Sequence, residues 1–225
     1  LKRGKRLFLP AGICKGKSHM VMALAVVCVD LKKDLKNLDG LIDPAELFKR
    51  ESFVQECFDT ALVYGDGVIE RFDRVRTSAG WARKSMVSAL TMLGLDEMTG
   101  RYASYEELAQ IIRARFATPK ASLRELFGRM VFNVLCGNND DHARNHAAFW
   151  DGKKLSLTPA YDICPQRRTG RESNQAMRIT GERSASTLAV CLSAAPQFQL
   201  SPKAASELIE AQIAGVYARF GDIAE

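Results

Sequence analysis

Asp140 and Asn145 stand in the most polar stretch of the chain, residues 136–145, which reads Cys-Gly-Asn-Asn-Asp-Asp-His-Ala-Arg-Asn. Four residues separate them, the spacing between the base and the metal-binding asparagine in catalytic loops that transfer phosphoryl groups. Another carboxylate, Asp162, follows downstream. A carboxylate can accept the proton of an attacking hydroxyl, and amide and carboxylate oxygens are the hard ligands that Mg²⁺ prefers. These three side chains therefore predict phosphoryl transfer.

A buried helix is predicted directly before this polar stretch. Ser122-x-x-Glu125 has the spacing of a capping box, in which the two side chains close the first turn of a helix. We expect the helix to end at Gly137, because glycine readily adopts the left-handed conformation found at helix ends. Its apolar residues recur at helical spacing and predict a core face made of Leu123, Leu126, Phe127, Met130, Val131 and Val134.

A short β-hairpin is predicted directly after the polar stretch. Residues 147–150 and 155–157 are mostly apolar, and the Asp-Gly pair at 151–152 is a turn sequence. Because the second strand runs back along the first, it would return Asp162 to the beginning of the hairpin. The sequence therefore predicts that Asp162 lies beside Asn145.

The character of the chain changes near residue 73. Before it, the Gly-Asp-Gly at 65–67 lies between two apolar runs and predicts a hairpin turn. After it, Ser104-x-x-Glu107 predicts a second capping box, and Ser-Pro at 201–202 predicts the start of a C-terminal helix. The Thr-Pro pair at 118–119 predicts a break between helices. We therefore expect a mainly α protein of the α+β class.

The composition excludes several classes of protein. The 225 residues include 47% hydrophobic and 26% charged residues, which excludes disordered, collagen-like and coiled-coil chains. The net charge of +6 favours an anionic partner such as a nucleotide. The apolar run at 20–29 is shorter than the ~20 residues that span a bilayer, so no membrane partner is expected. The six cysteines form no Cys-x-x-Cys pair, which predicts reduced thiols and a cytoplasmic protein.

Three segments together resemble the HipA family of serine/threonine kinases, the toxins of bacterial toxin–antitoxin pairs. They are the stretch 137–145, the Leu-Thr-Pro-Ala-Tyr-Asp at 157–162, and the Glu-Arg-Phe-Asp-Arg at 70–74. The resemblance implies that Asp140 is the catalytic base and that Asn145 and Asp162 bind magnesium. It also implies a nucleotide site made of the hinge residues Glu70, Arg71 and Phe72 together with His142, Ala143, Arg144 and Tyr161.

The resemblance also implies a fold, a reaction and partners. The expected fold is a protein-kinase-like helical C-lobe over residues 68–225, with a small catalytic β-hairpin, preceded by a divergent or truncated N-terminal portion at 1–67. The expected reaction uses ATP and Mg²⁺ to phosphorylate a serine or threonine hydroxyl of a protein, with aminoacyl-tRNA synthetases among the family's targets. The expected partners are that protein substrate, a helix-turn-helix antitoxin, and DNA through the antitoxin.

Several alternatives stay open at this point. The chain could be a catalytically inactive HipA-like binding module that engages the antitoxin and DNA. His142 and His146 have the i, i+4 spacing of some zinc sites, although the glutamate that follows the first histidine in zinc hydrolases is absent. The segment 11–18 loosely matches a phosphate-binding loop, the basic residues at 2–6 could contact nucleic acid, and 70–73 could be a plain edge strand.

Two neighbours of the predicted site residues are expected to have minor roles. We expect no function for Asp141, so its change to asparagine should be nearly neutral. We assign the imidazole of His146 to packing or to a local hydrogen bond.

Overall fold

A computed structural model describes residues 72–166 and 172–224 of the chain. The expectations for the N-terminal portion 1–67, for the loop at 11–18 and for the hinge residues Glu70 and Arg71 lie outside the described residues. Within them, helices and antiparallel strands occur together, as the α+β prediction requires.

Within the described residues, five strands form two separate antiparallel sheets. Strands β1 (Arg74–Thr77) and β2 (Gly80–Arg83) make a two-stranded ribbon. Strand β3 (Ser85–Ser88) pairs with β4 (Ala147–Trp150), which in turn pairs with β5 (Leu155–Leu157). The predicted hairpin at 147–157 is confirmed as β4–β5, and the sequence analysis did not foresee β3 as its third strand.

The turn of the β4–β5 hairpin has the chemistry that its sequence predicts. The carboxylate of Asp151 accepts hydrogen bonds from the backbone N–H groups of Lys153 and Lys154, at 2.7 and 2.8 Å. Gly152 has a φ of +98°, a conformation that a residue with a Cβ adopts only with strain. The Asp-Gly pair therefore sets the length and register of the hairpin.

Five α-helices complete the described structure. They are α1 (Ala89–Met92), α2 (Tyr105–Arg115), α3 (Pro119–Leu135), α4 (Leu188–Ala194) and α5 (Pro202–Ala224), with 3₁₀ turns at Gly100–Tyr102 and Ala195–Phe198. No helix among the described residues is both long enough and apolar enough to cross a membrane.

The predicted helix starts are confirmed at two positions and wrong at one. The Ser104 hydroxyl accepts from the Glu107 backbone N–H at 3.1 Å and donates to its carboxylate at 2.9 Å, which closes the capping box. Helix α5 begins at Pro202, as predicted. Ser122, by contrast, is no cap, because α3 has already begun at Pro119 and Ser122 is buried inside its first turns. Proline at the first helical position, with its preset φ, starts the helix earlier.

Helix α3 is the centre of the hydrophobic core. Its predicted apolar stripe is buried, and α2, α4 and α5 pack around it. Phe127 of this helix meets Phe198 edge-to-face, with ring centroids 5.4 Å apart. The helix ends at Leu135, and Gly137 follows with a φ of +69°. The polar stretch at 136–145 therefore starts from the best-packed element of the described structure.

Candidate active site

The loop between α3 and β4 is hydrogen-bonded to the end of the buried helix. The side-chain amide of Asn138 donates to the Asn133 side chain, and its backbone N–H donates to the Asn133 carbonyl, both at 2.9 Å. The carbonyl of Asn139 accepts from the backbone N–H of Ala176 at 3.0 Å. These bonds fix the backbone on which the next residues, Asp140 and Asp141, are carried.

The two adjacent aspartates have opposite surroundings. Asp140 is exposed, whereas Asp141 is buried and accepts hydrogen bonds from the Tyr105 hydroxyl and from His146 Nε2, the latter at 3.0 Å. The Tyr105 ring also packs edge-on against the His146 imidazole. Asp141 therefore has a structural role that its sequence pattern did not indicate, because the side chain links α2, the loop and the residue before β4. The effect of Asp141→Asn on phosphoryl transfer stays a prediction. The expectation of a local hydrogen bond for His146 is confirmed.

The surroundings of the buried Asp141 favour its ionised form. Burial by itself raises the pKa of the Asp141 carboxyl, but the His146 imidazole and hydrogen bonds from His146, Tyr105 and Asn133 hold this pKa below its ordinary value. Burial, followed by the charge of Asp141, raises the pKa of Tyr105 well above its ordinary value. At neutral pH the tyrosine therefore stays protonated, and its hydroxyl donates a hydrogen bond to the ionised carboxylate of Asp141.

The hairpin brings Asp162 beside Asn145, as the sequence predicts. Asn145 is 6% exposed, and its side-chain Nδ2 lies 3.5 Å from the backbone carbonyl oxygen of Asp162, to which it donates. Asp162 has a φ of +58°, and its side chain is exposed. A backbone held in this sparsely populated region is typical of functional sites.

The donor set of these residues fits a magnesium ion. Because Nδ2 of Asn145 donates to the carbonyl of Asp162, its Oδ1 remains as an acceptor, and no hydrogen bond to it occurs within residues 72–166 and 172–224. The exposed carboxylate of Asp162 is the second hard oxygen ligand. Mg²⁺ usually takes one or two such ligands from a protein and fills its shell with water and phosphate oxygens.

An aromatic cluster lies next to Asp162. Tyr161 stacks on Phe72 with ring centroids 5.8 Å apart, and Phe72 meets Phe149 of β4 at 6.2 Å. The Tyr161 hydroxyl donates to the backbone carbonyl of Arg144 at 2.5 Å. Burial raises the pKa of Tyr161, so it stays protonated and keeps this bond. Two residues that the resemblance assigns to the nucleotide, Phe72 and Tyr161, are thereby in contact.

The other predicted nucleotide residues that the structure describes, His142, Ala143 and Arg144, line a separate cavity of about 320 Å³. Its walls are Leu90, Asp96, Glu97, Gly100, Arg101, His142, Ala143, Arg144 and Ala176. The guanidinium of Arg144 forms an ion pair with Glu97, and both side chains are half exposed or more. No motif singled out from the sequence includes residues 96–101. The signal of this segment was Asp96-x-x-Thr99, in which the aspartate accepts from the backbone N–H of Thr99 at 2.8 Å.

The two histidines of the zinc alternative have different surroundings. His146 is committed to the buried Asp141, whereas His142 lines the cavity that contains Arg144. Among the described residues, no cluster of three or more histidine, cysteine, aspartate or glutamate side chains could hold a metal ion. The described cysteines, Cys136, Cys164 and Cys191, are free thiols, and burial raises the pKa of Cys136 to about 12.

Comparison with known proteins agrees with these motifs. The family model described as "HipA-like C-terminal domain" matches residues 52–220, which is most of the chain. The chain belongs to this family. The matched range includes the loop 137–145, the β4–β5 hairpin and the segment 70–74.

Individual relatives are more distant than the family match. A Haemophilus influenzae protein named "Putative kinase" is 31% identical over 103 residues, 43% of this chain and 29% of that protein. "Putative kinase Y4mE" of Sinorhizobium fredii is 28% identical over 102 residues, again 43% of this chain and 24% of that protein. The HipA-like chain thus spans less than a third of the length of these curated relatives.

A solved structure shows the same fold. The structure titled as the Shewanella oneidensis MR-1 toxin–antitoxin system HipA, HipB and operator DNA complex superposes with a TM-score of 0.58 at 17% identity. The superposition covers 69% of this chain and 41% of that one. The described residues therefore have a HipA-like fold.

Proposed function

We propose that this HipA-like chain takes part in ATP- and Mg²⁺-dependent phosphorylation of a serine or threonine hydroxyl of a protein. The observation that carries the proposal is the contact between Asn145 Nδ2 and the Asp162 carbonyl, with the exposed Asp140 in the same loop. Kinase catalytic loops use this set of side chains at this spacing. The kinase names of the distant relatives support the same reaction class.

Each residue has a definite role in this reaction. The acceptor hydroxyl oxygen attacks the γ-phosphorus of ATP, its proton passes to the carboxylate of Asp140, and ADP leaves. Asn145 and Asp162 would hold Mg²⁺, which supplies positive charge that neutralises the β- and γ-phosphate oxygens. The adjacent ring of Phe72 offers an apolar face to the adenine, and Tyr161 supports that ring from behind by stacking on it.

The rigid support of the loop favours catalysis over simple binding. Asp140 is preceded by backbone tied to Asn133 and is followed by the buried Asp141, so its position is set on both sides. Such preorganisation is the main source of rate in phosphoryl transfer, because little covalent chemistry is left to the protein. The Shewanella complex supports a helix-turn-helix antitoxin, and DNA through it, as partners of this chain as well.

Two measurements on the purified chain test the proposal. Titration calorimetry with ATP, with and without Mg²⁺, should show that the metal strengthens binding. Transfer from γ-labelled ATP to the protein itself or to dephosphorylated casein should fall by orders of magnitude in Asp140→Asn. The matched control is Asp151→Asn, which makes the same chemical change at the hairpin turn. Absence of nucleotide binding would instead favour the inactive module that binds antitoxin and DNA.

The same transfer assay separates the kinase from a zinc enzyme. Transfer should persist in the presence of a zinc chelator, because the proposed base is a carboxylate and the proposed metal is Mg²⁺. Loss of transfer upon chelation, with Asp140→Asn still active, would assign the chemistry to a histidine-bound metal.

A further inference from the structure

Both tryptophans of this chain are exposed, although tryptophan is usually among the most buried residues of a protein. Trp81 in β2 is 67% exposed, and Trp150 at the end of β4 is 46% exposed. The hairpin β1–β2 that carries Trp81, here called the basic ribbon (Arg74–Thr77 and Gly80–Arg83), makes no extensive contact with any other helix or strand among the described residues.

The register of the basic ribbon places its charges and its indole on one face. Arg74 is paired with Arg83, and Arg76 is paired with Trp81. Cross-strand partners share a face, and residues two apart in a strand share a face as well. Three guanidinium groups therefore share one face with an exposed indole, and that of Arg74 also lies 3.9 Å from the carboxylate of Asp73. An isolated two-stranded ribbon is marginal in water, so a partner that covers it would stabilise it.

The positive charge continues from the ribbon to the second tryptophan. Lys84 follows β2 directly, and its ammonium lies 4.6 Å from the centre of the Phe149 ring. Arg83, Lys84 and Trp150 line one open cavity of about 580 Å³. Ser85, the strand partner of Trp150, is only four positions after Trp81 in the sequence. The chain from Trp81 to Ser85 spans at most ~14 Å, and the pairing of Ser85 with Trp150 adds ~5 Å, so a ligand of several nucleotides is long enough to reach both tryptophans.

We propose that this face binds single-stranded nucleic acid, with phosphates on Arg74, Arg76 and Arg83 and with unpaired bases stacked on Trp81 and Trp150. Guanidinium groups match phosphate geometry in a bidentate manner. Aromatic side chains beside a basic groove stack bases without sequence preference. An acidic peptide would satisfy the charges, but it would leave the two indoles without a planar partner. The site is independent of the proposed phosphoryl transfer, because it uses none of the residues assigned to that reaction.

Tryptophan fluorescence of the full chain is the direct readout, because both indoles belong to the proposed site. Octamers of deoxythymidine and of uridine should quench this emission, and the affinity should fall steeply as salt rises. Trp81→Ala should weaken binding about 5- to 150-fold, the range for loss of one stacked base. Trp81→Phe keeps a stacking ring and should retain most of the affinity.

Two double variants, each of which removes two positive charges, distinguish binding at the ribbon from non-specific electrostatic attraction of the nucleic acid. Arg76→Ala combined with Arg83→Ala should reduce the slope of log K against log salt by about 1.4, or ~0.7 per lost phosphate contact. Arg183→Ala combined with Lys203→Ala removes the same charge from exposed positions outside the ribbon and should change the slope little. The proposal is overturned if the octamers do not bind at low salt, if both pairs behave alike, or if polyglutamate or duplex DNA binds as tightly.

Discussion

Asp141→Ala should destabilise the fold strongly, although the position lies in a polar loop. The change leaves the Tyr105 hydroxyl and His146 Nε2 buried without their acceptor. Each buried polar group left without a partner costs about 1–3 kcal/mol, and two such groups are left here. We expect a loss of about 3–5 kcal/mol, which is a large share of the ~5–15 kcal/mol that stabilises a typical domain.

Urea unfolding followed by circular dichroism measures this loss. With a slope of about 2 kcal/mol per molar urea, the midpoint should fall by about 2 M. Asp140→Ala is the matched control, because its carboxylate is exposed and surface changes usually alter stability by less than about 0.5 kcal/mol. A fall below about 1 kcal/mol for Asp141→Ala, or an equal fall for both variants, would refute the idea that Asp141 holds the loop.

Three further predictions follow from particular contacts. Asp162→Ala should remove the Mg²⁺-dependent part of ATP affinity in calorimetry while the helical circular dichroism is kept, and equal affinity at saturating Mg²⁺ would contradict the proposed site. The pKa of the Asp141 carboxyl is lowered in the folded state. Its contribution to the stability of the fold is therefore complete above the unfolded pKa near 3.8 and is lost as the pH falls through the folded pKa. The free energy of unfolding should therefore fall less steeply with decreasing pH in Asp141→Asn. Ser104→Ala should cost about 1 kcal/mol in urea unfolding, because it opens the capping box of α2, and no change would mean that the cap is redundant.

The basic ribbon also bears on how the HipA-like chain could combine two activities. Lys84 contacts Phe149, which in turn contacts Phe72 of the proposed nucleotide site. A ligand that extends from the ribbon to Lys84 would therefore lie within two side-chain contacts of the proposed adenine face. If the octamers bind as proposed, their effect on the Mg²⁺-dependent affinity for ATP measures the coupling between the two sites, and by linkage ATP must change the octamer affinity by the same factor.

Features that depend on residues close together in the sequence could be predicted from the sequence alone. The capping box at Ser104, the turn at Asp151-Gly152 and the left-handed Gly137 each rest on hydrogen bonds or dihedral angles within a few residues. The spacing of Asp140 and Asn145 is equally local. Where two local signals competed, the sequence reading failed: Pro119 started α3 before Ser122 could cap it.

Only the tertiary structure decided which of two adjacent aspartates is buried. Asp140 and Asp141 are the same residue type in the same loop, and no local pattern tells which of them is buried. The partner that binds Asp141, Tyr105, is 36 residues away in the sequence and reaches it only because α2 packs on α3. The ion pair of Arg144 with Glu97, 47 residues apart, has the same origin. Both contacts depend on how the elements pack, and burial makes the partner of Asp141 costly to replace.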